Sequence, residues 1–133
     1  MDTRRLKILI VEDDMFMVRV LKMKLEQGGF EVYTAQNGAE GFIMADRLKP
    51  DVIISDVTMP QVDGLSMCTK ISQSEDLRPG LFIVITSLIE RHVRHQAEQL
   101  ENACFVPKPV SPKNIVGIIR KHFDDRDHST EKQ

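Results

Sequence analysis

Residues 6–14 read LKILIVEDD, a nearly continuous apolar run closed by three carboxylates. A short apolar run without alternation predicts a strand covered on both faces, as in a parallel sheet flanked by helices. Working outward from it, the pattern recurs: EVYTA (31–35), DVIISD (51–56), LFIVIT (81–86) and CFV (104–106) supply four more candidate strands. Helix start and stop signals lie between them. Asp14 caps a predicted helix through Gln27, with Phe16, Val20 and Met23 facing inward and Leu21 at the margin, and Gly28-Gly29 ends it. Asn37 caps a second helix that stops before Pro50, and Asp63-Gly64 turns into a third that runs to about 74. A fourth is expected over 89–100, and Ser111 with Pro112 at the first helical position starts a fifth that ends near Phe123.

Five β–α units in alternation predict an α/β fold, a doubly wound parallel sheet with right-handed crossovers. Residues 1–123 then form one domain, and DDRDHSTEKQ (124–133), with nothing apolar to bury, reads as a disordered charged tail. A net charge of -2 gives the domain no electrostatic footprint for direct nucleic-acid binding. The longest apolar run, 81–85, is far too short to span a bilayer, and the first ten residues lack a signal-peptide core. Cys68 and Cys104 match no zinc or redox spacing and read as reduced packing residues of a cytoplasmic protein. Met15, Met17, Met23, Met44, Met59 and Met67 read as core filler and lid. His92 and His95, three apart, read with Arg91 and Arg94 as an exposed basic stripe and a candidate docking face rather than a metal pair.

An open α/β sheet places its ligand site outside the carboxyl ends of its strands. Those ends carry Glu12, Asp13 and Asp14 after the first strand, Asp56 closing the third, Thr86 and Ser87 at the fourth, and Lys108 after the fifth. Gathering carboxylates there is costly, since two unit charges about 5 Å apart repel by about 3 kcal/mol at an effective dielectric of 20. A divalent cation turns that cost into a binding site, and an all-oxygen donor set suits Mg²⁺, with Mn²⁺ as the alternative. A carboxylate beside a metal is a competent nucleophile toward phosphorus. Phosphoryl transfer mainly asks for charge neutralisation on the equatorial oxygens, which a metal, the Lys108 ammonium and the Thr86 hydroxyl can share.

The segments ILIVEDD, IISDVTMPQVDG, IVITS and FVPKP, in this order, resemble the four signature segments of the response-regulator receiver domain of two-component signalling, the CheY-like superfamily. The resemblance covers residue 6 to about 123. It implies a flavodoxin-like (βα)5 fold with strand order 2-1-3-4-5 and Asp56 as phosphoacceptor. It also implies a metal held by Asp13, Asp56 and the Thr58 carbonyl, with Glu12 reaching it through water. Thr86 becomes the switch hydroxyl, Lys108 the phosphate-binding lysine, and Phe105 the aromatic whose rotamer follows the hydroxyl. Implied partners are a sensor histidine kinase or histidine phosphotransfer protein as donor, and a downstream protein at the face of the fourth helix, fifth strand and fifth helix. Thr58 and Leu88 occupy the positions that border the path of hydrolytic water, and an apolar Leu88 implies a long-lived phosphoaspartate. The sequence departs from the usual pattern at three places: Glu12 as the first acid, Ser87 after the switch hydroxyl, and Glu101-Asn102 where Gly-Ala is typical.

Two rival readings fit less well. Aspartate-nucleophile phosphatases of the haloacid-dehalogenase type place a second Asp two residues past the nucleophile, where this chain has Thr58. A nucleotide-binding flavodoxin-like module needs a Gly-rich loop after the first strand, and residues 12–17 contain no glycine. The expected function is therefore a phospho-accepting switch with at most slow autodephosphorylation, not a turnover enzyme.

Overall fold

The computed structural model describes residues 5–56, 63–86, 100 and 102–131, with 63–66 and 125–131 described in backbone only. Its elements run β1 (Lys7–Val11), α1 (Met15–Gln27), β2 (Glu31–Ala35), α2 (Gly38–Leu48), β3 (Val52–Asp56), α3 (Asp63–Ser72), β4 (Leu81–Thr86), β5 (Ala103–Pro107) and α4 (Pro112–Glu131). The expected helix over 89–100, with Arg91, His92, Arg94 and His95, lies outside the described residues, as do Thr58, Ser87 and Leu88. The five strands pair in parallel in the order β2-β1-β3-β4-β5, the doubly wound, flavodoxin-like arrangement. No helix among the described residues is long and apolar enough to cross a membrane.

Alternation along the strands divides the core into two layers. Ile8, Ile10, Val52, Ile54, Ile83 and Ile85 face α1 and α4, meeting Val18, Leu21, Leu25, Ile115 and Ile119. Leu9, Val11, Ile53, Phe82 and Val84 face α2 and α3, meeting Ala45, Met67, Cys68 and Ile71. Burial on both faces is why the central strands carry no polar alternation. Gly41 lets α2 sit close, since a Cβ there would lie 2.9 Å from a Val11 methyl and 2.5 Å from the Met67 sulfur.

Three expectations need correction. Phe16 and Met23, expected inward on α1, are 77% and 58% exposed, and the buried stripe is Val18, Leu21 and Leu25. The apolar arc of α1 is wider than the face the sheet can cover, so its outer edge is left out. Phe16, Met17 and Val20 instead line a groove of about 200 Å³ with Val110 and Pro112. The methionines divide accordingly: Met67 is core, while Met15 and Met23 are exposed. Finally, α4 does not stop near Phe123 but continues in backbone to Glu131. A helix already nucleated against the sheet adds residues at little further cost, even polar ones.

The turns follow their sequence signals. Asn37 Oδ1 accepts the Glu40 N–H at 2.9 Å, and the Ser111 hydroxyl accepts the Asn114 N–H at 3.3 Å. The atypical turn before β5 rests on Asn102, which takes a left-handed φ of 60° that Asn tolerates better than most residues. Its carbonyl accepts the Phe82 N–H at 2.8 Å, tying the turn to β4.

Candidate functional site

Strand register assembles the site. Val11 pairs with Ser55 across β1 and β3. One residue further on, Glu12 and Asp56 therefore stand side by side at roughly the inter-strand spacing of 4.8 Å. Asp56 is the last residue of β3 and Thr86 the last of β4, and both are buried. Thr86 pairs with Pro107, and its carbonyl accepts the Lys108 N–H at 3.1 Å, which fixes Lys108 just past the end of β5. β4 separates β3 from β5, so a basic group on β5 must cross about two strand spacings to reach Asp56. Lysine has that reach: Lys108 Nζ lies 2.6 Å from Asp56 Oδ2, its side chain 37% exposed against 4% for the aspartate. The Lys108–Pro109 peptide is cis.

Glu12 is the buried acid of the pair, 3% exposed, whereas Asp13 faces solvent. Glu12 Oε2 accepts the Asp14 N–H at 3.1 Å, and Oε1 is buried with no hydrogen-bond donor. Burial pushes the Glu12 carboxyl up from 4.5 to about 7; the Asp14 N–H pulls against this, while the Asp56 charge and the contacts with Asp13 and Asp56 push further. A buried carboxylate oxygen without a donor, beside two more carboxylates, is a place a cation would stabilise. The donors are all oxygens, so the residues present fit a hard divalent ion such as Mg²⁺. Among the described residues, no three His, Cys, Asp or Glu side chains converge as a ready metal cluster.

Phe105 and Thr86 fall on the same side of the sheet. Phe105 packs, half-buried, against the layer holding Phe82 and Val84, and it pairs in register with Val84. Thr86 follows Phe82 and Val84 at the two-residue period, so its hydroxyl projects toward the layer that Phe105 touches. Thr58 and Leu88 lie outside the described residues.

Two features escaped the sequence reading. Asp14, read there as a helix cap and as one of three acids after the first strand, also directs its backbone N–H at Glu12; its place two residues beyond a buried acid was the available signal. Ser55, beside Asp56 on β3, carries a buried hydroxyl that lies against the Cys68 thiol. Nothing in an apolar strand sequence announces that. The buried Cys68 thiol is pushed up by burial to about 12, with Ser55 pulling the other way, so it is inert at neutral pH.

The family model for the response regulator receiver domain matches residues 8–120. Among curated relatives, the alkaline phosphatase synthesis transcriptional regulatory protein PhoP of Bacillus subtilis is 32% identical over 114 residues, 86% of this chain and 47% of that protein. Response regulator PleD of Caulobacter vibrioides is 34% identical over 114 residues, again 86% of this chain but 25% of PleD. The chain thus spans about half the length of the one relative and a quarter of the other. The crystal structure of the N-terminal domain of an uncharacterized protein from Wolinella succinogenes superposes with a TM-score of 0.81 at 33% identity, covering 96% of this chain and 99% of that one. The chain therefore belongs to the response regulator receiver domain family and is a signalling domain of two-component type.

Proposed function

We propose that this domain accepts a phosphoryl group on Asp56 from a phosphohistidine protein, either a sensor histidine kinase or a histidine phosphotransfer protein. The observation that carries the reading is the Lys108–Asp56 contact at 2.6 Å beside the buried acid Glu12. An Asp56 carboxylate oxygen attacks phosphorus in line, the P–N bond to the donor imidazole breaks, and the imidazole leaves with the bonding pair. Lys108 then neutralises one phosphoryl oxygen and the Thr86 hydroxyl donates to another. Asp13, Asp56 and the Thr58 carbonyl would hold Mg²⁺ (or Mn²⁺), with Glu12 reaching it through water. When bound, the ion supplies charge neutralisation at a phosphoryl oxygen.

The signal is a two-state shift. Thr86 moves toward the phosphoryl group and Phe105 turns into the space behind it, altering the face made by residues 89–100, β5 and α4 for a downstream protein. The domain is a cytoplasmic switch without turnover of external substrate or direct nucleic-acid contact. Incubation with acetyl phosphate and Mg²⁺ should add one phosphoryl group by mass spectrometry and change hydrogen exchange over residues 86–108. An unmodified chain, or changes confined to α1 and α2, would refute the reading.

Phosphoryl lifetime is assigned to Thr58 and Leu88, the positions that in this family border the path of hydrolytic water; neither is a base, and a leucine side chain has no group to orient water. Replacing Leu88 by Glu should speed dephosphorylation by about tenfold, or about 1.4 kcal/mol of barrier. Decay of the two phosphorylated proteins measured side by side checks this, and equal rates would end it.

A further inference from the structure

Asp14 stands where β1 hands over to α1, and both its ends are tied down. Its side-chain oxygen accepts the Phe16 and Met17 N–H groups at 3.0 and 3.3 Å, capping α1, and its carbonyl accepts the Val18 N–H at 3.0 Å. These bonds hold its backbone at φ -81° and ψ 102°, and in that conformation its own N–H donates to Glu12 Oε2 at 3.1 Å. Glu12 needs such a guide. A glutamate has three rotatable bonds ahead of its carboxyl, and the other oxygen, Oε1, has no donor to orient it. The Glu12 backbone is held separately, by its N–H to the Ala35 carbonyl at 3.0 Å, and the Asp14 amide is the backbone N–H that orients the carboxyl among its acidic neighbours Asp13 and Asp56.

We infer that Asp14 is a positioning residue for the metal site: its cap aims the amide that aims the Glu12 carboxylate, and Mg²⁺ affinity depends on that chain of bonds. The inference rests on the metal reading above. It differs from two simpler roles for a third acid in the run, namely a source of negative charge and a generic helix cap. Asparagine caps helices as well as aspartate but carries no charge, and alanine does neither.

The test is Mg²⁺ binding at fixed pH and ionic strength, measured by calorimetry on wild type, Asp14→Asn, Asp14→Ala and Asn37→Ala. Asn37 caps α2 through the Glu40 N–H, so its loss loosens a helix start of the same kind on the neighbouring connection. The expected result is that Asp14→Asn binds within about twofold of wild type and Asp14→Ala about fivefold more weakly, with Asn37→Ala unchanged. Wild-type affinity in Asp14→Ala would overturn the inference. Equal weakening in Asp14→Asn would replace it with a charge effect, and equal weakening in Asn37→Ala with general loosening. Failure of the wild type to bind Mg²⁺ would overturn the metal reading itself, an outcome distinct from these three.

Discussion

Asp56→Asn should take no phosphoryl group from acetyl phosphate and Mg²⁺, while remaining folded. The amide has the shape of the carboxylate but no anionic oxygen to attack phosphorus, so the loss is complete rather than graded. The fold should tolerate the change because two effects offset. Lys108 loses its partner, but with its side chain 37% exposed it can return to water. Glu12, in turn, loses a repulsive neighbour that helps to hold its carboxyl up. We expect a stability change within about 1 kcal/mol, the scale of an ion pair with one exposed partner. Mass spectrometry and a urea titration on the same preparation check both halves. Robust labelling of the variant at another residue would show that Asp56 is not the acceptor.

The second large effect is in the pH dependence of the metal-free protein. The folded-state carboxyl of Glu12 sits at about 7, above its ordinary 4.5, chiefly because it is buried. Between those values the folded protein keeps a proton that the unfolded chain has released. Stability therefore falls as pH rises from about 4.5 to about 7 and levels off above that, a change of about 3 kcal/mol if the whole shift is realised. Glu12→Gln removes this slope. Its amide oxygen can still accept the Asp14 N–H, and its NH₂ can donate to the neighbouring carboxylates. In EDTA at pH 8 the variant should thus be more stable than wild type by about 2 kcal/mol, with the difference vanishing near pH 4. Urea unfolding of both proteins across that range decides it; parallel stability curves would mean that Glu12 ionises freely. Added Mg²⁺ should narrow the gap at pH 8 by stabilising the wild type more.

The strands and the order of elements were legible in the sequence, because a strand covered on both faces must be apolar throughout, and 8–11, 52–54 and 81–85 have no other use for such runs. So was the gathering of Glu12, Asp13, Asp56, Thr86 and Lys108 at one sheet edge, since parallel strands all end on the same side. The caps at Asp14, Asn37 and Ser111 were readable too, because capping is a local bond between near neighbours. What escaped depended on partners distant in the chain. Helix α1 is apolar over more than one face, so periodicity left its phase open; packing against the sheet and α4 buried Val18, Leu21 and Leu25 and left Phe16 and Met23 outside. The end of α4 was equally undetermined, because its polar extension follows from a helix nucleated elsewhere by burial. Lys108 reaches Asp56 only because β4 lies between their strands at one spacing each, and Glu12 acquires a raised carboxyl only because neighbouring elements take it out of water while Asp13, one residue on, stays in it. Residue order encodes which groups are available, but distance and solvent exclusion set their charge states, and these exist only once the layers have packed.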